Sequence, residues 1–390
     1  MMKRDRIPIT DEEATEWRRE FPGLATTVHV ANCSHGPQSR RVRSAIDAYL
    51  ESWLETGMDW DAWMGEVEQA REAFARLIGA RPGEVAIAAS ASAAVASIAS
   101  SLDGSGPRRR VVTTEAEFPT VGHVWLAHAK YGLEIDFIPV RDGAIALEDY
   151  EERIDERTVL TSATHVYYQN GFKQDVGRIA EIAHQAGSLL LVDAYQSLGT
   201  CAVDVRELDI DILVGGVLKY LLGLPGIAFI YVKEEIVERF EPALTGWFGR
   251  VNPFAFDARA LDYASEARRF DTGTPPVFAA VAARAGMEII EEVGARRIGE
   301  RIEELSAYTM EAAGHCGFEY VGPADVNEKG ATTAIRVPDP HAVEAKLKER
   351  GIVASARGDV IRIAPHFFTR CDDIDRAMAE LGKILSGDSR

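Results

Sequence analysis

One lysine stands in the long apolar run from Ile212 to Val232. Gly215-Gly216-Val217-Leu218 leads into Lys219, and Gly223-Leu224-Pro225-Gly226 turns the chain back. An ammonium among so many hydrocarbon groups is costly unless it is paired or neutralised, and burial lowers its pKa. A neutral amine attacks carbonyl carbons, which is how lysines form Schiff bases. Asp193 closes an earlier apolar stretch that begins at Ser188. An amine and a carboxylate, each delivered by a buried strand, form a pair suited to carbonyl chemistry.

Other residues could complete such a site, and each has a plainer reading beside it. The Ala/Ser run that contains Ser92 and Ala93 follows a strand and opens a helix. Small residues there let a phosphate approach the helix's free N–H groups and positive end, although Ala-rich helix starts also serve packing. Phe118, before Pro119, could cover a flat heteroaromatic ring or merely fill a loop. Asp193-Ala194-Tyr195-Gln196 could hold a ring nitrogen and a ring substituent, or Asp193 could cap a helix. Gly246-Trp247-Phe248-Gly249 and Thr272-Gly273-Thr274 read as tight loops with polar tips. Arg362 is a guanidinium on an apolar strand, suited either to a substrate carboxylate or to a structural ion pair. With Lys219 and Asp193, these are the groups that pyridoxal phosphate chemistry uses.

Metal and hydrolase chemistry have little support. His123 and His128 do not share a helical face. Cys33, Cys201, Cys316 and Cys371 are scattered without zinc spacing, as expected of free thiols in a reducing compartment. Ser34-His35 has no evident acidic partner for a triad.

The elements that must position these residues follow from the apolar pattern. Candidate strands lie at 85–88, 110–113, 135–139, 159–164, 189–193, 212–215 and 227–232, alternating with helix-period stretches. That alternation predicts an α/β fold with a mainly parallel seven-stranded sheet covered on both faces, whose ligands bind beyond the carboxyl ends of the strands. Beyond residue 253 the texture changes to helices at 279–293, 295–313, 340–350 and 373–385, with strands at 332–337 and 360–364. At 390 residues the chain exceeds one comfortable core. We expect a large cofactor-binding domain over 31–252 and a small α+β domain over 253–390. Residues 1–30 should pack with the small domain or with a partner subunit.

Composition is that of a soluble protein, 46% hydrophobic and 27% charged. A formal net charge of −18 argues against nucleic acid or an anionic membrane as the main partner. No apolar stretch follows the basic start, so no secretory signal is expected and the location should be cytoplasmic.

Taken together, the residues resemble the class V branch of the fold-type I pyridoxal phosphate enzymes over essentially the whole chain. The matching segments are Asp193–Gln196, Gly215–Lys219, Gly273-Thr274-Pro275 and Arg362–His366. Phe118-Pro119-Thr120, Lys219-Tyr220-Leu221 and Gly246–Gly249 are similar to segments of kynureninase-like and isopenicillin-epimerase-like members. The resemblance implies that Lys219 joins the cofactor aldehyde and moves the Cα proton, while Asp193 keeps the pyridine nitrogen protonated. It implies that Phe118 stacks on the ring, and that Ser92 and the Ala93 N–H cradle the phosphate. Trp247 and Thr274 would approach that phosphate from the second subunit of a homodimer with shared sites, and Arg362 would hold the substrate α-carboxylate. Gln196, Leu218 and Arg250 stand where kynureninases carry His, Tyr and His, which points away from kynurenine hydrolysis. The 353–359 segment has no cysteine for a persulfide route. Transamination of an α-amino acid is the first expectation, with a lyase, hydrolase or epimerase on the same scaffold as the alternative.

Overall fold

The computed structural model describes residues 8–387. The basic start of the chain, positions 1–7 of the N-terminal segment, lies outside the described residues. Helices α1 (Asp11–Trp17), α2 (Arg40–Thr56) and α3 (Trp60–Leu77) come first, with a short β1 (Val28–His29) before α2. There follow β2 (Val85–Ala88), α4 (Ala91–Ala99), β3 (Arg110–Thr114), α5 (Pro119–His128) and β4 (Glu134–Ile138). The series continues with α6 (Leu147–Arg153), β5 (Thr158–Thr164), α7 (Val176–Gln185), β6 (Leu189–Asp193), β7 (Ile212–Gly216) and β8 (Ala228–Val232). After α8 (Glu234–Val237) come the long helices α9 (Val277–Val293) and α10 (Ala295–His315). The C-terminal part adds β9 (Tyr320–Val321), β10 (Thr333–Arg336), α11 (Pro340–Glu349) and β11 (Ile352–Val353). It closes with β12 (Ser355–Arg357), β13 (Val360–Ile363) and α12 (Cys371–Leu385).

The large sheet has seven strands in the order β2-β8-β7-β6-β5-β3-β4. All run parallel except β8, which is antiparallel to both neighbours. Its strands read as continuous apolar runs because both faces are covered. Leu190, Val192, Leu213 and Phe229 pack on one side with Phe74 of α3, Ile179 of α7 and Ala280 of α9. Leu191, Val214 and Ile230 pack on the other with Val95 of α4 and Trp125 of α5. The expected α/β architecture is met, together with a smaller antiparallel sheet of order β12-β13-β10-β9 under α11 and α12. The short β1 pairs with β11, beside that smaller sheet.

α9 bears most directly on the site. It packs on α2 and α3, so residues well beyond 252 serve the large-sheet layer. Its inner stripe is small, with Ala279, Ala283 and Gly286 all buried. A Cβ on Gly286 would lie 2.4 Å from the Leu221 carbonyl oxygen, and one on Gly223 would meet Val217 at 2.7 Å. The loop carrying Lys219 is thus pressed between β7 and α9, and backbone contact replaces side-chain packing. Leu222 takes a left-handed φ of 59° there, a conformation that non-glycine residues rarely hold unless their surroundings impose it. The four cysteines are unbridged. No helix among the described residues is long and apolar enough to cross a membrane.

Gly286→Ala separates two opposing effects. Helix propensity favours alanine by about 1 kcal/mol, whereas overpacking a close contact costs about 1–3 kcal/mol. Because the contacted atom is backbone, the expected outcome is a lower melting temperature together with weaker retention of cofactor. A rise in melting temperature would show that α9 does not press on the lysine loop.

Candidate active site

The parallel strands deliver their functional side chains at one edge. β2 leads into the start of α4, β3 into Glu117 and Phe118, β6 ends at Asp193, and β7 runs two residues short of Leu218-Lys219. Register places Thr164 of β5 opposite Asp193 and Asp193 opposite Val214. Between these ends lies a cavity of about 270 Å³, lined by Ser90, Ser92, Phe118, Asp193, Gln196 and Lys219 among others.

Lys219 is partly buried. Its Nζ lies 4.3 Å from the centre of the Tyr195 ring and 5.8 Å from that of Phe118. Tyr195 reaches that position because Gly216 has no side chain; a Cβ there would fall 2.2 Å from the ring. Burial lowers the Lys219 pKa to about 8; Asp193 opposes this, while the positive charges of Arg362 and Arg357 add to it. Asp193 is buried too, and one carboxylate oxygen accepts the Tyr195 N–H at 2.8 Å. This is local turn chemistry rather than the cap of a following helix. Burial raises its pKa, against the pull of that N–H and of Lys219. Desolvation therefore outweighs the attraction between the two groups, and a further cation beside Asp193 would favour its ionised form.

Gln196, which lines the cavity, donates an Nε2–H to the Cys33 carbonyl at 3.0 Å, while its buried Oε1 has no partner. At the mouth, Ser90 caps α4 by accepting the Ala93 N–H at 3.1 Å. That engages the N–H expected to hold a phosphate and leaves those of Ala91 and Ser92 in the first turn, where no intrahelical acceptor exists. Ser92 Oγ lies 2.6 Å from Thr120 Oγ1. Phe118 meets Tyr168 edge to face at 5.1 Å.

Arg362 is fully buried. Nη1 donates to the Tyr168 carbonyl at 2.7 Å, and Nη2 to Ser34 Oγ and Ser355 Oγ at 2.8 and 2.6 Å. Every partner is neutral, and Nε has none. A structural ion pair does not account for this guanidinium, since no carboxylate among the described residues contacts it. Trp247 and Thr274 stay outside the cavity of their own chain. Trp247 stacks on Trp60 at 5.8 Å, and Thr274 is exposed.

The sequence did not point to Glu117, which has the look of a surface charge beside exposed Glu115. It is buried at 4% exposure; Ser162 Oγ donates to Oε1 at 3.1 Å, and Oε2 has no partner. Burial first, and the Asp193 charge second, push its pKa far above the usual carboxylate range. Its only sequence signal was its place before Phe118-Pro119. Ser34, Ser355 and Tyr168 were likewise silent until the fold brought them to Arg362.

These residues fit pyridoxal phosphate. A nucleophilic amine, a buried carboxylate short of a cation, an acceptor oxygen short of a donor, and open N–H groups of a helix start are its complementary set. The profile of the family described as Aminotransferase class-V matches residues 41–365. An uncharacterized aminotransferase of Bacillus subtilis, YcbU, is 39% identical over 94% of this chain and 96% of its own. A kynureninase of Deinococcus radiodurans is 30% identical over 94% of this chain and 92% of its own. Among solved structures, an apo cysteine desulfurase from Thermococcus onnurineus superposes with a TM-score of 0.86 at 24% identity, covering 95% of this chain and 98% of that one. The cystine C–S lyase C-DES matches with a TM-score of 0.85 at 19% identity, over 93% of this chain and 99% of that one. At these identities the two structures speak for the fold.

The environment of Lys219 has a measurable consequence. Covalent capture of pyridoxal phosphate by the apoprotein should accelerate as pH rises through about 8, where the amine loses its proton, and then level off. Stopped-flow absorbance across that range checks this. A midpoint near the ordinary lysine value of 10.5 would mean that the amine is not desolvated.

Proposed function

The chain belongs to the Aminotransferase class-V family, and from that premise we propose that it transfers the amino group of an α-amino acid to a keto acid. Pyridoxal phosphate is its cofactor, and when bound it supplies an electron sink for negative charge developing at the substrate Cα. Asp193 would hold a proton on the ring nitrogen, which keeps that sink strong. Phe118 would cover the ring, Gln196 Oε1 would accept from its hydroxyl, and Ser92 with the first turn of α4 would take the phosphate. Lys219 is the group that removes and returns protons at Cα. Its lowered pKa leaves a large neutral fraction near physiological pH, as a general base requires. Arg362 orients the substrate by its α-carboxylate.

The observation that carries this reading is the buried Arg362 held only by neutral acceptors, beside a desolvated lysine. One site awaits a carboxylate and its neighbour attacks or deprotonates carbon, which together describe an α-amino acid. The B. subtilis relative, named as an aminotransferase, favours amino transfer. The kynureninase relative favours a lyase or hydrolase course on the same residues, which would consume no amino acceptor.

A homodimer completes the proposal. Trp247 and Thr274 lie outside their own cavity, and Trp53, Leu54, Met58, Phe254 and Phe256 are exposed apolar side chains that a second copy would cover. The unbridged cysteines favour a reducing, cytoplasmic setting.

Holoenzyme mixed with a panel of amino acids, with and without 2-oxoglutarate, tests the reaction. Transamination predicts glutamate and a matching keto acid only when the acceptor is present, and Lys219→Ala should lower turnover by at least about a thousandfold. Release of pyruvate, alanine or anthranilate without acceptor would contradict it. Sedimentation should give the mass of two chains; the mass of one would refute the shared site.

A further inference from the structure

The hairpin formed by β12 and β13 carries a second guanidinium on the side of Arg362. Directly opposed residues of an antiparallel pair share a face, and residues two apart return to it. Ser355 is paired with Arg362, and Arg357 with Val360. Ala356, Ile361 and Ile363 point the other way, into the core under α11 and α12. Ser355, Arg357 and Arg362 therefore occupy the opposite face, from which Arg362 reaches Ser34 and the Tyr168 carbonyl at the cavity.

Arg357 is exposed and has neither a hydrogen bond nor an ion pair among the described residues. The nearest carboxylate in sequence, Asp359, is engaged by Arg336 at 2.9 Å. Glu344 of α11 turns instead to the Ala356 N–H at 3.1 Å. An unpartnered arginine on a surface is ordinary; this one differs because its charge is felt at the Lys219 amine. It lies about 7 Å along the strand from the Ser355–Arg362 pair, on the face from which Arg362 reaches the Tyr168 carbonyl. With the amino-acid backbone of a substrate held by Arg362 and Lys219, a side chain directed along this strand face comes towards Arg357.

We propose that Arg357 binds a second carboxylate, on the side chain of the substrate, and so selects dicarboxylic amino donors or keto acid acceptors. The inference rests on the amino-acid reading of the cavity. Two guanidiniums on one rigid hairpin face set the distance between the two carboxylates, and Arg binds such groups in bidentate geometry. Because Arg357 is solvent-exposed, it contributes discrimination rather than most of the affinity, and added salt should weaken it.

Isosteric pairs isolate the distal charge. For the holoenzyme, kcat/KM is compared for glutamate against glutamine and aspartate against asparagine, in wild type, Arg357→Gln and Arg357→Lys. The wild type should favour the acid of at least one pair. Arg357→Gln should reduce that preference on the order of tenfold, mainly through KM, and Arg357→Lys should restore part of it. Calorimetric binding of glutarate, which cannot react, should weaken in Arg357→Gln to a similar extent. Equal acid-to-amide ratios in wild type and Arg357→Gln, with unchanged glutarate binding, would overturn the proposal. Arg357-dependent glutarate binding by a protein that converts no amino acid would uphold this subsite and sink the transamination reading instead.

Discussion

Burying an ammonium and a carboxylate close together, without letting them fully neutralise one another, is the constraint from which the rest of the site follows. Lys219 and Asp193 would each prefer water, and their attraction offsets only part of the desolvation. The lysine is left with an amine ready to react, and the aspartate with a charge that a pyridinium would satisfy. Glu117 sharpens the same imbalance. A second ionised carboxyl near Asp193 would raise the cost further, and burial together with the Asp193 charge pushes the Glu117 pKa up while Ser162 donates a hydrogen bond to it. Local instability of this kind persists only where the scaffold around it is rigid.

That rigidity comes from close backbone packing. The lysine loop has β7 on one side and the small-residue stripe of α9 on the other, with Gly286 and Gly223 at the tightest points. The Gly36 N–H donates to the Leu218 carbonyl at 3.0 Å, and the Gly223 N–H to that of Val217 at 2.8 Å. Gly216 admits the Tyr195 ring beneath the amine. Each glycine serves a contact that a methyl group would block, so the apolar run around Lys219 is written by the approach of neighbouring backbone. The hairpin bearing Arg362 and Arg357 then brings the smaller sheet to the mouth of the same cavity, where substrate carboxylates can be held.

Much of this was legible from the chain. The strands of the large sheet were readable because buried parallel strands are continuous apolar runs bounded by turns, and Leu189–Asp193 and Val85–Ala88 are clear cases. Lys219 and Asp193 were visible as charges where hydrocarbon dominates. α2 escaped notice because it buries only a narrow stripe, Val42 and Ile46, and α3 because charged residues interrupt its apolar side chains. The short strands β1, β9 and β11 span two residues apiece, too few for any period to show. Glu117, Ser34, Ser355 and Tyr168 could not be found locally, since what distinguishes them is a partner far away in sequence. That Ser90 caps α4 by accepting the Ala93 N–H was likewise not readable from the Ala/Ser run.

The claim that most needs a direct test is the covalent role of the Lys219 amine. Borohydride reduction of the holoenzyme followed by peptide mass spectrometry locates the attachment. The account predicts one phosphopyridoxyl group per chain, on Lys219. Attachment at Lys329 or any other lysine, or a reduced protein without the added mass, would contradict it.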